Sequence, residues 1–133
     1  MQDLKELKGK LSEWKVLIVD DEDDLRRSIE QIFESFFAEV VSAVDGKDAL
    51  EKFNQQGPFD MIITDISMPN ITGTELVKEI RSVTKDVFIV IMSGAFDDYK
   101  DELNKDDVLV NKPFTFNETI ELFASLVEFK NNS

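Results

Sequence analysis

The chain contains no cysteine and no histidine. The first absence excludes disulfides and thiolate metal sites, and the second removes the commonest general base. Any chemistry therefore falls to carboxylates, hydroxyls, lysines or a hard metal ion. Cations are in short supply: 15 Lys and Arg stand against 28 Asp and Glu, for a net charge of −13. That balance argues against a nucleic-acid partner, because phosphate contacts need clustered Lys and Arg. With only 5 glycines there is no Gly-rich phosphate loop, which excludes that mode of nucleotide binding. No apolar run approaches the ~18 residues that cross a bilayer, and the N-terminus is not signal-like, so no membrane partner and a cytoplasmic location are expected.

What is present suits one folded unit. A length of 133 residues supports a single core, and hydrophobic residues at 42%, 11 of them Phe, supply its volume. Much of the acidity is expected on a solvated surface. One acidic feature is local: Asp20, Asp21, Glu22, Asp23 and Asp24 are consecutive, and like charges that close repel unless something offsets them.

The hydrophobic pattern alternates between two periods. Leu4, Leu7 and Leu11 have helical spacing in an N-terminal extension over residues 1–14, which reads as partly helical. Apolar strands are expected over Lys15–Asp20, Ala38–Ala43, Met61–Thr64, Val87–Met92 and Val108–Asn111. Helical patterns follow them, with Leu25, Ile29, Ile32, Phe33 and Phe36 in one helix, Ala49, Leu50 and Phe53 in the next, and Leu76, Val77, Ile80 and Val83 in a third. A last helix is expected from Asn117 to Phe129. Strands alternating with helices imply a doubly wound, flavodoxin-like α/β fold, a five-stranded parallel sheet in the order 2-1-3-4-5 with helices on both faces. Residues 15–129 are read as the domain and 130–133 as a tail.

In such a sheet, functional groups lie past the C-terminal ends of the strands. Asp20 and Asp21 end the first strand, Asp65 the third, Ser93 the fourth and Lys112 the fifth. A single charge at a strand end is usually structural. Three carboxylates, a hydroxyl and a lysine at four corresponding ends point to a shared site. Clustered carboxylates take up protons unless they share a cation, and a hard divalent ion, Mg²⁺, suits an all-oxygen set that leaves room for water and phosphate oxygens.

The runs VLIVDDE and DMIITDISMPNITG, the Ser93-Gly94 pair and the run VNKPF together closely resemble the receiver domain of bacterial two-component response regulators, and are similar to single-domain chemotaxis-type regulators. The resemblance spans residues 15–129. It implies a phosphorylation-controlled switch in which Asp65 accepts a phosphoryl group from a histidine kinase or phosphotransfer protein. It further implies Mg²⁺ held by Asp21, Asp65 and the Ser67 backbone carbonyl, with Asp20 acting chiefly through water. Lys112 would neutralise phosphoryl oxygens, Ser93 would hydrogen-bond one of them, and the Lys112-Pro113 bond would be cis. Output would pass to a downstream protein partner or a fused output domain, and enzyme activity would extend only to the domain's own phosphorylation and dephosphorylation.

The chain departs from the family pattern in three places. Leu109 stands where an inward-swinging Tyr or Phe is usual. Ser93 replaces the commoner Thr. The Ser93-to-Lys112 segment is short, and its acidic middle predicts a short or mobile fourth helix over 97–105.

Other readings compete. In a haloacid dehalogenase-like phosphatase Asp21 would be the nucleophile and Asp23 the acid/base, which leaves Asp65 and its Pro69 and Gly73 loop without a role. An unphosphorylated scaffold would not need the complete acidic set. An EF-hand-type calcium loop fails because Leu25 stands where Gly is required. In the last helix Phe116, Ile120, Phe123, Ala124 and Val127 form the expected core face. Leu122, Leu126 and Phe129 form a second apolar stripe, expected to meet a partner or a second copy in a homodimer, or alternatively Leu4, Leu7, Leu11 and Trp14.

Overall fold

The computed structural model describes residues 3–94 and 107–132. In chain order the elements are α1 (Leu4–Leu11), β1 (Lys15–Val19), α2 (Asp23–Glu34), β2 (Glu39–Ala43), α3 (Gly46–Gln56), β3 (Met61–Asp65), α4 (Gly73–Val83), β4 (Phe88–Ser93), β5 (Val108–Asn111) and α5 (Phe116–Asn131). The strands are all parallel, in the order β2-β1-β3-β4-β5. This is the expected doubly wound arrangement. The fourth-helix expectation over 97–105 falls outside the described residues.

Why the central strands read as unbroken apolar runs is plain from their alternation. Val16 and Ile18, Met61 and Ile63, and Phe88, Val90 and Met92 face one core cluster. Their neighbours Leu17 and Val19, Ile62, and Ile89 and Ile91 face the other. Side chains alternate along a strand, so a sheet covered on both faces needs apolar residues at successive positions. Ile29 and Phe33 from α2, with Phe123 from α5, cover the first face. Ala49 from α3 and Leu76, Val77 and Ile80 from α4 cover the second. Phe123 sits among Phe33, Phe36 and Phe37, with ring centroids 5.0–5.3 Å away.

The helices start where local chemistry satisfies their first amides. Asp45 caps α3, Thr72 caps α4, and Thr115 with Glu118 forms a reciprocal capping box on α5. At α2 the N-cap is Glu22, whose side chain makes no capping hydrogen bond.

Three packing expectations are corrected. The Leu122 and Leu126 stripe of α5 takes the alternative cover, not an outward partner or homodimer face: both residues are buried in the first cluster together with Leu7 and Leu11 of α1, with Trp14 packed against it. The N-terminal extension thus takes the place expected of a second protein, because α1 carries its own apolar stripe and needs a surface to cover it. Phe116, expected in the core, is 52% exposed, and Val83, at the last turn of α4, is 71% exposed.

Candidate functional site

Each candidate side chain reaches the site because a strand carries it there. Asp65 is the last residue of β3 and Ser93 the last of β4, while Asp20 and Lys112 directly follow β1 and β5. The ladder continues one step past the strands: the Asp20 N–H donates to the Ala43 carbonyl at 3.2 Å, Ile66 N–H to Met92 at 3.2 Å, and Lys112 N–H to Ser93 at 2.8 Å. These bonds hold the backbone from which the functional side chains project. The Lys112-Pro113 bond is cis, as expected, and so is Gly57-Pro58.

Asp20, Asp21 and Asp65 converge, each offering one carboxylate oxygen within 4.8 Å of the others. Asp20 and Asp65 are buried; Asp21 is exposed. Lys112 bridges the buried pair, its Nζ lying 3.0 Å from Asp20 Oδ2 and 3.3 Å from Asp65 Oδ2. Burial pushes the Asp65 carboxyl up from 3.8 to about 6, with the Asp20 and Asp21 charges adding to the rise and Lys112 opposing it. Burial alone would lower the Lys112 ammonium. Its close pairing with Asp20, and that with Asp65, outweigh burial and raise it.

The donor set suits a hard cation. Asp20 Oδ1 accepts the Glu22 N–H at 2.9 Å, but Oδ2 is fully buried and, among the described residues, makes no hydrogen bond of ordinary geometry and has its ion pair with Lys112. A buried anionic oxygen left that way favours a second cation or a cation-bound water. The residues present therefore fit Mg²⁺, and three carboxylate oxygens this close are what such an ion would draw together.

The remaining candidates are placed less uniformly. Ser67 lies two residues beyond Asp65, exposed on the loop at the same edge. Ser93 is buried, and its hydroxyl donates to Asn111 Oδ1 at 3.1 Å. Leu109 is 39% exposed on β5. Asp23 is paired with Arg26 Nη2 at 2.7 Å, so it is occupied where the phosphatase reading required an acid/base.

Several residues of the site carry no signal in the pattern of strand-end acids. Thr64 donates its hydroxyl to the Asp65 carbonyl at 3.0 Å. Gly73 lies against the same backbone: a Cβ there would stand 2.1 Å from the Asp65 carbonyl oxygen. The glycine of the loop is thus needed for close approach, since its φ is not positive; Asn70, at φ 70°, takes the left-handed position. Arg26 is buried and donates through Nη1 to the Asp20 carbonyl at 2.9 Å.

Fold and site together define a doubly wound α/β domain with an acid-and-lysine pocket at the carboxyl edge of its sheet. The sequence matches the response regulator receiver domain over residues 16–124, and the chain belongs to that family. It is 42% identical over 106 residues to a probable transcriptional regulator ycf27 of Guillardia theta, covering 76% of this chain and 40% of the relative. It is 35% identical over 117 residues to the transcriptional regulatory protein PrrA of Mycobacterium tuberculosis, covering 85% of this chain and 49% of that protein. Among solved structures, the response regulator TrrA of Thermotoga maritima in complex with Mg(2+)-BeF superposes with a TM-score of 0.72 at 36% identity, covering 85% of this chain and 98% of that one. The chain spans about half or less of the length of these curated relatives. Its homology to such response regulators makes it a receiver of the two-component type and leaves the phosphatase alternative without support.

Proposed function

We propose that Asp65 is the phospho-acceptor of a two-component phosphorelay. The observation that carries this reading is the convergence of Asp20, Asp21 and Asp65 within 4.8 Å, with Lys112 bridging two of them. A carboxylate oxygen of Asp65 attacks the phosphorus of a phosphohistidine on a histidine kinase or phosphotransfer protein. An O–P bond forms, the P–N bond breaks, and the electron pair leaves on the imidazole nitrogen, which takes a proton. Phosphoryl transfer asks mainly for positioning and charge stabilisation, which a few fixed groups can provide. Asp21, Asp65 and the Ser67 carbonyl hold Mg²⁺ directly in this reading, and Asp20 holds it through water. Bound there, the ion offsets the charge of the carboxylates and of the phosphoryl oxygens. Lys112 gives up one carboxylate contact to meet a phosphoryl oxygen, and Ser93 turns its hydroxyl from Asn111 to another.

Phosphorylation adds charge and acceptor oxygens at one end of the sheet, which biases the Ser93 loop and changes binding to a downstream protein or fused output domain. The domain catalyses only its own phosphorylation and dephosphorylation. We read residues 15–129 as the switch, preceded by an extension over 1–14; α5 itself runs on to Asn131, into the expected tail over 130–133. Among the described residues no helix is long and apolar enough to cross a membrane, and we assign the protein to the cytoplasm. Mass spectrometry after incubation with acetyl phosphate and Mg²⁺ tests the central claim. The wild type gains one phosphoryl group and Asp65→Asn gains none; a gain that survives the substitution rejects Asp65 as the acceptor.

A further inference from the structure

Arg26 is a charged side chain that the proposed chemistry does not use, yet it is only 8% exposed. Arginine is seldom buried unless it is paired, and its contacts run back to the turn that carries the acids. Nη1 donates to the Asp20 carbonyl at 2.9 Å, Nη2 meets Asp23 Oδ1 at 2.7 Å, and Nε lies 3.7 Å from Glu30. The turn needs such a tether. It bears Asp20, Asp21 and Glu22, with Asp23 and Asp24 following in the first turn of α2, and the helix it leads into lacks a side-chain cap at Glu22.

The Asp20 carbonyl belongs to the planar peptide that joins Asp20 to Asp21. Holding that oxygen therefore fixes the plane from which the Asp21 side chain departs. Asp20 is already held by its own N–H to Ala43 and by the Glu22 N–H on Oδ1. Asp21 is exposed, so its direction depends on the backbone that carries it. Resting on the reading of Asp20, Asp21 and Asp65 as the Mg²⁺ site, we propose that Arg26 is a positioning residue for that site. By gripping the Asp20 carbonyl and the Asp23 carboxylate, it sets the turn so that Asp21 converges with Asp65 on the cation. Outer partners of this kind commonly govern 10- to 100-fold of metal affinity.

The sign of the effect separates this role from plain electrostatics. Arg26 is a positive charge near a cation site, so by Coulomb repulsion alone its removal would tighten Mg²⁺ binding. Loss of positioning loosens it. Arg81 provides a matched control at the other end of the sheet, with Nη1 donating to the Val87 carbonyl at 2.8 Å and Nη2 3.1 Å from Asp107 Oδ1.

The test is the Mg²⁺ dependence of the urea unfolding midpoint, which yields an apparent Kd by linkage even in a weakened protein. It compares wild type, Arg26→Lys, Arg26→Gln, Arg81→Lys and Asp21→Asn. Both Arg26 variants are expected to raise the Kd about tenfold or more. Arg81→Lys lowers stability in EDTA and leaves the Kd unchanged. If the Arg26 variants do not fold in buffer, the titration is run in trimethylamine N-oxide, which favours the compact state. An unchanged or tighter Kd in the Arg26 variants, with wild type binding Mg²⁺ and Asp21→Asn failing to, overturns the positioning role alone. A wild type that does not respond to Mg²⁺, or Asp21→Asn that binds like wild type, overturns the metal site and this role with it.

Discussion

Asp65, the proposed acceptor, is held at a cost. Its carboxyl titrates near 6 in the folded chain against 3.8 for the free group, so between those values the folded state carries a proton that the unfolded state has lost. Stability of the metal-free protein therefore falls as pH rises through that window and levels off above it. The full shift of about 2 pH units corresponds to about 3 kcal/mol, and the solvent at the mouth of the site reduces this to about 2 kcal/mol. Asp65→Asn removes the penalty. In EDTA at pH 7 it should be more stable than wild type by about 1–2 kcal/mol, with the advantage vanishing towards pH 4. Urea melts across that range check this; a constant offset at every pH rejects it. The candidate acids, hydroxyl and lysine were legible because strand ends converge in a doubly wound sheet. Their supports were not. Arg26 shares the buried face of α2 with Ile29 and Phe33, a place where helical spacing forecasts an apolar residue and a charge carries no sign of its burial. Asn111 lies on the strand at the sheet's end, and nothing in its neighbours forecasts that Ser93 will donate to it. Gly73 signals a turn, but its close approach to the Asp65 carbonyl is a three-dimensional fact.

At the scale of elements, the two-face alternation made the sheet readable, and strand limits moved by a residue or so. The stripe on α5 was misread for a physical reason. Periodicity shows that a helix has two apolar faces without showing what covers the second. Here the cover is α1, whose Leu7 and Leu11 are 1% and 0% exposed. Val83 follows the same limit: its spacing matches the core face of α4, but the helix ends beyond the edge of what it packs on. The buried contact makes α1 part of the cooperative fold. Leu11→Ala should cost about 2–5 kcal/mol, as for a fully buried leucine. Leu4, on the same helix but 43% exposed, provides the contrast, and Leu4→Ala should change stability by less than about 0.5 kcal/mol. Equilibrium unfolding of both variants decides the matter. Equal, small effects would mean that α1 is a dispensable tail.

Over the whole molecule, charge acts at two ranges that salt can separate. The net charge of −13 produces a diffuse self-repulsion. Monovalent salt at about 0.15 M screens beyond roughly 8 Å, so it relieves much of that term. It does little for Asp20, Asp21 and Asp65, whose oxygens lie within 4.8 Å, inside the screening length and partly out of water. A divalent ion seated among them relieves what screening cannot. In EDTA, added NaCl should raise the urea midpoint modestly and then saturate. Mg²⁺ at matched ionic strength should raise it further, by an increment that grows with the logarithm of its concentration above the Kd. Asp21→Asn should abolish that increment while keeping the NaCl response, because one surface charge hardly alters the diffuse field. If NaCl and Mg²⁺ act alike at equal ionic strength, the acidic edge is only a charged surface. If the increment is specific and disappears with Asp21, the same three carboxylates that strain the metal-free fold are the ones that bind the ion.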